Sequence, residues 1–269
     1  MDKGALFRKL HEAPGAFVIP NPWDIGTAKL LASFGFKALA TTSAGFAFSR
    51  GLPDGAAAFD MMITHCKEIV AATDLPVSAD LERGKGDSPE SVGETIFAAQ
   101  AAGLAGCSIE DFTDDPDNPI YDFSLAVERV AAAAEAARAL HSDFVFTARA
   151  ENFLHGRPDL DDTIARLQAF ERVGADVLYA PGITDIEMVR KICSSVSKPV
   201  NVLAVPGFTV AALADAGASR ISLGSKLTTH AFGMMQKASR EMLEQGTFEF
   251  SKDCMPYADL QRLFSTGSL

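Results

Sequence analysis

The chain has no apolar run of membrane-spanning length, no excess of basic charge, no paired cysteine motif and no linker-like stretch. Each absence removes a class of protein. Without roughly 20 consecutive apolar residues there is no transmembrane helix, and the opening MDKGALFRKL lacks the apolar core of a secretory signal. The formal net charge is −11, which argues against nucleic acid or an anionic membrane as a partner. An anionic substrate stays open, because local cations and a metal can outweigh the global field. The four cysteines, Cys66, Cys107, Cys193 and Cys254, are scattered and read as reduced thiols of a cytoplasmic protein. What is present is an ordinary globular composition, 48% hydrophobic and 22% charged, in 269 residues that can bury a large core.

After an amphipathic lead-in helix (3–11), one pattern repeats: a short apolar strand, a turn, and an Ala/Leu/Glu-rich helix. Strands are expected at Phe17–Pro20, Ala38–Thr42, Pro76–Asp80, Gly106–Glu110, Phe144–Arg149, Asp176–Ala180, Val200–Ala204 and Arg220–Leu223. Helices follow near Asp24, Ala57, Pro89, Ser124, Asp161, Asp185, Thr209 and Lys226, and Gly35, Gly103, Gly174 and Gly217 fit helix C-caps that lead into buried strands. Eight such β-α units predict an α/β fold, a single (β/α)8 TIM barrel occupying residues 1–269. Residues 246–269 form an extension carrying Phe248, Phe250, Met255, Tyr257, Leu260 and Leu263. That much apolar side chain packs either on its own barrel or on a neighbouring subunit.

In this fold chemistry sits at the C-terminal ends of the strands. The third strand runs into Asp80-Leu81-Glu82-Arg83-Gly84-Lys85-Gly86. Alternation along an extended chain would send Asp80 and Glu82 to one side. Paired carboxylates repel unless a cation sits between them, and a hard divalent ion with oxygen ligands is the economical answer: Mg²⁺, with Mn²⁺ the alternative. Asp54 after the second strand and Glu110 at the end of the fourth join them. Asp80 is expected to bind the ion directly, with Asp54, Glu82 and Glu110 holding its waters, since Mg²⁺ dehydrates reluctantly. Arg149, ending the fifth strand, is either a bidentate clamp for a substrate carboxylate or an ion-pair partner of these acids. Ser43-Ala44-Gly45 is either a cradle of backbone N–H groups or merely a tight turn, and Asn152 joins the substrate-binding set. Metal, clamp and N–H groups together describe a site for a 2-oxo acid, with enolate stabilisation as a bond at C3 breaks.

These residues resemble the phosphoenolpyruvate mutase / isocitrate lyase superfamily over nearly the whole chain. The matching pieces are N-P-W-D-I-G-T-A-K-L-L, T-T-S-A-G, G-L-P-D, A-D-L-E-R-G-K-G, S-I-E-D and the arginine of T-A-R-A-E-N. The resemblance implies a metal ligand at Asp80, an outer shell of Asp54, Glu82 and Glu110, and a substrate carboxylate held by Arg149 and the backbone of 43–45. It also implies chemistry on small 2-oxo or 2-hydroxy carboxylates through an enolpyruvate-like intermediate. A Mg²⁺-dependent homotetramer, or a dimer, with an exchanged C-terminal helix follows from the same resemblance.

The chain departs from the family's C–C lyases after the fourth strand, where they carry a K-[KR]-C-G-H loop with a catalytic cysteine. Here the loop from Asp111 to Tyr121 reads DFTDDPDNPIY, without cysteine, histidine or lysine. Cys107 precedes Glu110 inside the strand and reads as a buried apolar residue. The acidic loop would repel a highly anionic substrate unless its aspartates face solvent. Oxaloacetate decarboxylation asks least of such a site: the metal stabilises the enolate, CO₂ leaves, and water, Tyr121 or His155 supplies the proton. The alternatives are a C–C lyase of the methylisocitrate or dimethylmalate type, phosphonopyruvate-type P–C chemistry, and a non-catalytic barrel that binds a dicarboxylate.

Overall fold

Eight apolar runs become the strands of one parallel barrel: β1 Phe17–Ile19, β2 Leu39–Ala40, β3 Val77–Asp80, β4 Gly106–Glu110, β5 Val145–Arg149, β6 Val177–Tyr179, β7 Val200–Leu203 and β8 Arg220–Ser222. The computed structural model describes residues 2–268. From β2 to β8 each strand pairs in parallel with its sequence neighbour, and β1 pairs with β8. The seam between β1 and β2 is closed by the Ala40 N–H donating to the Pro20 carbonyl (3.1 Å). The strands lie within one or two residues of their expected bounds.

The helices are α1 Lys3–Glu12, α2 Ile25–Ser33, α3 Ser43–Ser49, α4 Phe59–Ala71, α5 Pro89–Ala101, α6 Phe123–Arg138, α7 Leu160–Val173, α8 Ile186–Ser194, α9 Val210–Asp215, α10 Lys226–Gln245 and α11 Tyr257–Thr266. Gly35, Gly103, Gly174 and Gly217 all take positive φ, so the four expected breaks fall where glycine alone is unstrained. α3 was not expected. Its seven residues open at Thr42, whose hydroxyl accepts from the Gly45 N–H, so Ser43–Gly45 is the first turn of a helix.

The core lies between the barrel wall and its helices, where Leu39, Ile69, Ile96, Phe146, Leu167, Phe170 and Leu178 are fully buried. A smaller cluster around Phe7, Ile19, Val145 and Val177 plugs the N-terminal end under α1. Arg8 pins α1 there through Asp143 (2.9 Å) and Asp176 (2.8 Å). The barrel axis itself is polar: Ser78, Ser108, Thr147, Asn201, Arg220 and Ser222 are buried, where branched apolar residues usually fill the layers. In the extension, α11 packs on α2 of its own chain, with Leu263 fully buried. By contrast α10 buries only Thr228 among its 20 residues.

Candidate active site

Asp80 ends β3 at the C-terminal mouth of the barrel. Its Oδ2 accepts from the Ser43 N–H (3.2 Å) and Ser43 Oγ (2.7 Å), and its Oδ1 from Arg149 Nη1 (2.6 Å). The chain then leaves the extended state. Glu82 has φ 51°, so strand alternation does not carry it to Asp80's side; a left-handed turn brings it to the cavity instead. Such a conformation is uncommon for a residue with a Cβ and concentrates at functional sites. Gly84 follows at φ 81°. Behind the turn, Arg129 of α6 donates to the carbonyls of Arg83 (2.6 Å), Gly86 (2.8 Å) and Asp87 (2.5 Å), and its guanidinium lies 4.3 Å from the Tyr121 ring centre.

Arg149 is the hub. Besides Asp80 it meets Glu110 Oε2 through Nη2 (2.9 Å) and Glu151 Oε1 through Nε (2.8 Å). Two of its five N–H groups thereby enter hydrogen bonds, to Asp80 and Glu151, and Glu110 adds an ion pair. Of the two roles expected for Arg149, ion pairing with these acids is present. Burial opposes its charge, yet Glu110, Glu151 and Asp80 hold the guanidinium well above its ordinary range. Burial raises the Glu110 carboxyl well above the ordinary range, against the pull of Arg149. Glu82 is pushed up to about 7 by burial, then by the charges of Asp80 and Asp54. Asp54 is raised by burial and by Asp80.

A two-lobed cavity opens over these groups. The inner lobe, about 280 Å³, reaches from Ser43, Asp54, Asp80 and Arg149 down the axis to Asn201 and Arg220. The outer lobe, about 560 Å³, lies under the 111–121 loop and takes in Glu82, Glu110, Glu151 and His155. Ser43, Asp54, Arg149 and Leu154 line both. Of the 43–45 amides, Ser43 serves Asp80 and Gly45 serves Thr42, which leaves the Ala44 N–H free toward the inner lobe. Asn152 lines neither lobe; its amide donates to Asp162 (2.7 Å). The residues brought together are thus Ser43, Ala44, Asp54, Asp80, Glu82, Glu110 and Arg149.

Several polar groups at this mouth carried no role in the sequence reading. Glu151 is 1% exposed and joins Arg149 to His155 Nε2 (3.5 Å). Arg166 of α7 fixes the start of the loop by bonding Asp111 (2.8 Å) and the Tyr121 carbonyl (3.0 Å). Arg220 is a buried cation whose partners, Asn201, His11 and Thr147, are all neutral; burial lowers it to about 10. The loop's Asp115 and Asp117 face outward, whereas Asp114, also exposed, edges the outer lobe. Cys107 is fully buried in β4 and burial pushes its thiol up.

Five carboxylates (Asp54, Asp80, Glu82, Glu110 and Glu151) here share one guanidinium. This surplus of hard oxygen donors fits a hydrated divalent cation. Among the described residues no three His, Cys, Asp or Glu side chains converge to chelate an ion together. Such an ion would therefore be held largely through its waters by these carboxylates.

The sequence profile of the phosphoenolpyruvate phosphomutase family matches residues 7–243. A candidate lyase/mutase from Burkholderia cenocepacia J2315 is 52% identical, with a TM-score of 0.96 over 99% of this chain and 97% of that one. The 2-methylisocitrate lyase of Escherichia coli K12 is 32% identical over 73% of this chain and 68% of its own. The structure of 2,3-dimethylmalate lyase superposes with a TM-score of 0.85 at 27% identity, covering 98% of this chain and 95% of that one.

Proposed function

The chain belongs to the phosphoenolpyruvate phosphomutase family, and from that membership we propose that it is a lyase acting on a small 2-oxo carboxylate through an enolpyruvate-like intermediate, with oxaloacetate decarboxylation as its reaction. The observation that carries this reading is the acid set around Asp80, ion-paired with Arg149, under a loop lacking the lyase cysteine. Arg149 and the Ala44 N–H bind the carboxylate next to the keto group. Ser43 keeps Asp80 oriented by two hydrogen bonds. When bound, Mg²⁺ supplies Lewis-acid stabilisation of the oxygen on which charge develops. The loop residue Phe112 and Leu154 line the outer lobe and keep water from the reacting carbon.

The reading is tested by following pyruvate and CO₂ release from oxaloacetate with and without Mg²⁺. Asp80→Asn is expected to lower kcat by at least about 10²-fold. Metal-independent turnover, or an Asp80→Asn enzyme as active as wild type, would refute it. The second reading, cleavage of a substituted malate or citrate-like substrate, is favoured by the similarity to the two named lyases; retro-aldol release of pyruvate from such a substrate is its test. Binding of oxalate without turnover of any 2-oxo acid would favour a non-catalytic barrel.

We also propose a homo-oligomer, a tetramer or dimer, in which a second copy covers α10. Phe232, Met234, Met235, Met242 and Leu243 stand 40–87% exposed along that helix, more apolar surface than a monomer ordinarily leaves in one place. Light scattering on the eluted protein decides it, and a monomer at micromolar concentration would overturn it. No helix among the described residues is long and apolar enough to cross a membrane, and we place the enzyme in the cytoplasm.

A further inference from the structure

We propose that His155 is the proton donor of this site, delivering the hydrogen that ends on C3 of the enolate. The inference rests on the 2-oxo acid reading above and supplies the group that the cysteine-free loop leaves missing. If the keto and carboxylate oxygens lie against Asp80 and Arg149, C3 points to the outer lobe, where His155 is the one imidazole lining the cavity among the described residues.

The imidazole is held from two sides. Its ring lies flat on Phe112, centroids 3.8 Å apart and planes 11° from parallel. Its Nε2 faces Glu151 Oε2 at 3.5 Å. Glu151 is itself fixed, its Oε1 accepting from Arg149 Nε (2.8 Å) and its backbone N–H donating to Asp111 Oδ1 (2.8 Å). An acid stands behind the ring at ion-pair rather than hydrogen-bond distance, and the other nitrogen, Nδ1, has no protein partner among the described residues. This is the base-plus-orienter arrangement of acid–base sites, reached from the β5 loop and tied to the β4 loop by Phe112.

Tyr121, Lys85 and Tyr179 are spent or misplaced. The Tyr121 hydroxyl donates to Asp87 Oδ1 (2.6 Å) and faces neither lobe. Lys85 pairs with Glu94 at the surface (2.5 Å). Tyr179 lies in the inner lobe, under Arg149. In the reaction the C3–C4 bond breaks, its electron pair stays as the enolate and CO₂ departs. The imidazolium N–H bond then breaks, the proton forms the new bond at C3, and the neutral ring regains a proton from solvent through its 26% exposed side chain.

The test is exchange of the methyl hydrogens of pyruvate with D₂O in the presence of Mg²⁺, followed by proton NMR, because it needs the proton transfer but no carbon–carbon cleavage. Wild type is expected to exchange, and His155→Gln and His155→Ala to exchange at least about 10²-fold more slowly. Free imidazole should restore part of the rate to His155→Ala and none to His155→Gln, while calorimetric oxalate binding stays within about threefold of wild type in both. Exchange by His155→Gln within about threefold of wild type overturns the proposal, as does a loss of oxalate binding that matches the loss of exchange. A wild type that binds oxalate yet neither exchanges pyruvate nor consumes oxaloacetate overturns the 2-oxo acid reading, and the proton donor falls with it.

Discussion

Replacing Arg149 by methionine would strip the counter-ion from three carboxylates at once. The guanidinium sits 2.6 Å from Asp80, 2.9 Å from Glu110 and 2.8 Å from Glu151, and the side chains of Glu110 and Glu151 are 8% and 1% exposed. Removing one partner of a buried pair leaves an uncompensated charge and costs about 3–5 kcal/mol. Three acids share this arginine, but the cost is capped because they can take up protons instead of staying charged. An unfolding entropy of about 2.1 cal/mol/K per residue gives about 0.56 kcal/mol/K for a chain this long, so the melting temperature should fall by about 5–9 °C. The sign with pH follows. Burial already raises the Glu110 carboxyl and Arg149 pulls it down, so without Arg149 it rises further, and the variant keeps stability at low pH and loses it as pH rises. The deficit should be largest at pH 8 and shrink toward pH 5, measured by calorimetry in chelator. Arg149→Met/Glu110→Gln should recover about 1–2 kcal/mol by removing one stranded acid. A methionine variant melting within about 2 °C of wild type at pH 8 would refute the hub.

Three further perturbations test the surroundings. His11 is pushed down to about 3 by burial, then by Arg220, so the folded state holds it neutral while the unfolded state protonates below about 6.5. The stability it contributes is present above pH 6.5 and is lost as pH falls toward 3, about 1.4 kcal/mol by pH 5.5; His11→Gln should flatten that slope in urea unfolding, and an unchanged slope would refute the assignment. Gly84→Ala should cost about 1–3 kcal/mol, because φ is 81° and the added Cβ would lie 2.8 Å from Thr95 Oγ1; Gly86→Ala, at ordinary φ, should cost less, and equal costs would refute the turn argument. Arg129→Met orphans three carbonyls of the turn and should destabilise by about 3 kcal/mol. It should also weaken metal binding by calorimetry more than oxalate binding, since the turn carries Glu82; equal losses would mean the turn is not positioned from behind.

The eight strands were legible because a strand covered on both faces reads as a short apolar run, and the helix ends because glycine marks them. The register then made part of the site readable. Glu110 pairs directly with Arg149 across β4 and β5, and Asp80 with Ser108 across β3 and β4, so acids and arginine at adjacent strand ends had to meet. Which nitrogen serves which acid is a rotamer question, and a sequence does not carry it. Glu82 was misdirected by alternation because the strand ends at Asp80 and a non-glycine takes the left-handed turn. α3 was hidden by its length, and its first turn is held by Asp80, 37 residues on. Arg129 did leave a signal. It stands on the same buried face of α6 as Ala126, Val130, Ala133 and Ala134, and a lone arginine on such a face must find carbonyls or acids inside the fold.

The layout of charge resolves an apparent contradiction between a chain of net charge −11 and the anionic substrate proposed for it. The cations that matter are inside: Arg149, Arg166 and Arg220 lie at the mouth or on the axis, and Arg129 braces the turn behind them, all well buried. The loop acids Asp115 and Asp117 are outside and Asp114 is exposed at the rim of the outer lobe, where solvent and salt screen them over about 8 Å. A buried guanidinium is screened far less, so the field a substrate meets in the cavity is set by few groups at short range rather than by the sum. Within that cavity the balance reverses with depth. The outer lobe holds Glu82, Glu110 and Glu151 and suits a cation, whereas the floor offers Arg220 with no acid beside it. Arg149 stands at the boundary, lining both lobes, where one side chain offsets the charge of Asp80, Glu110 and Glu151.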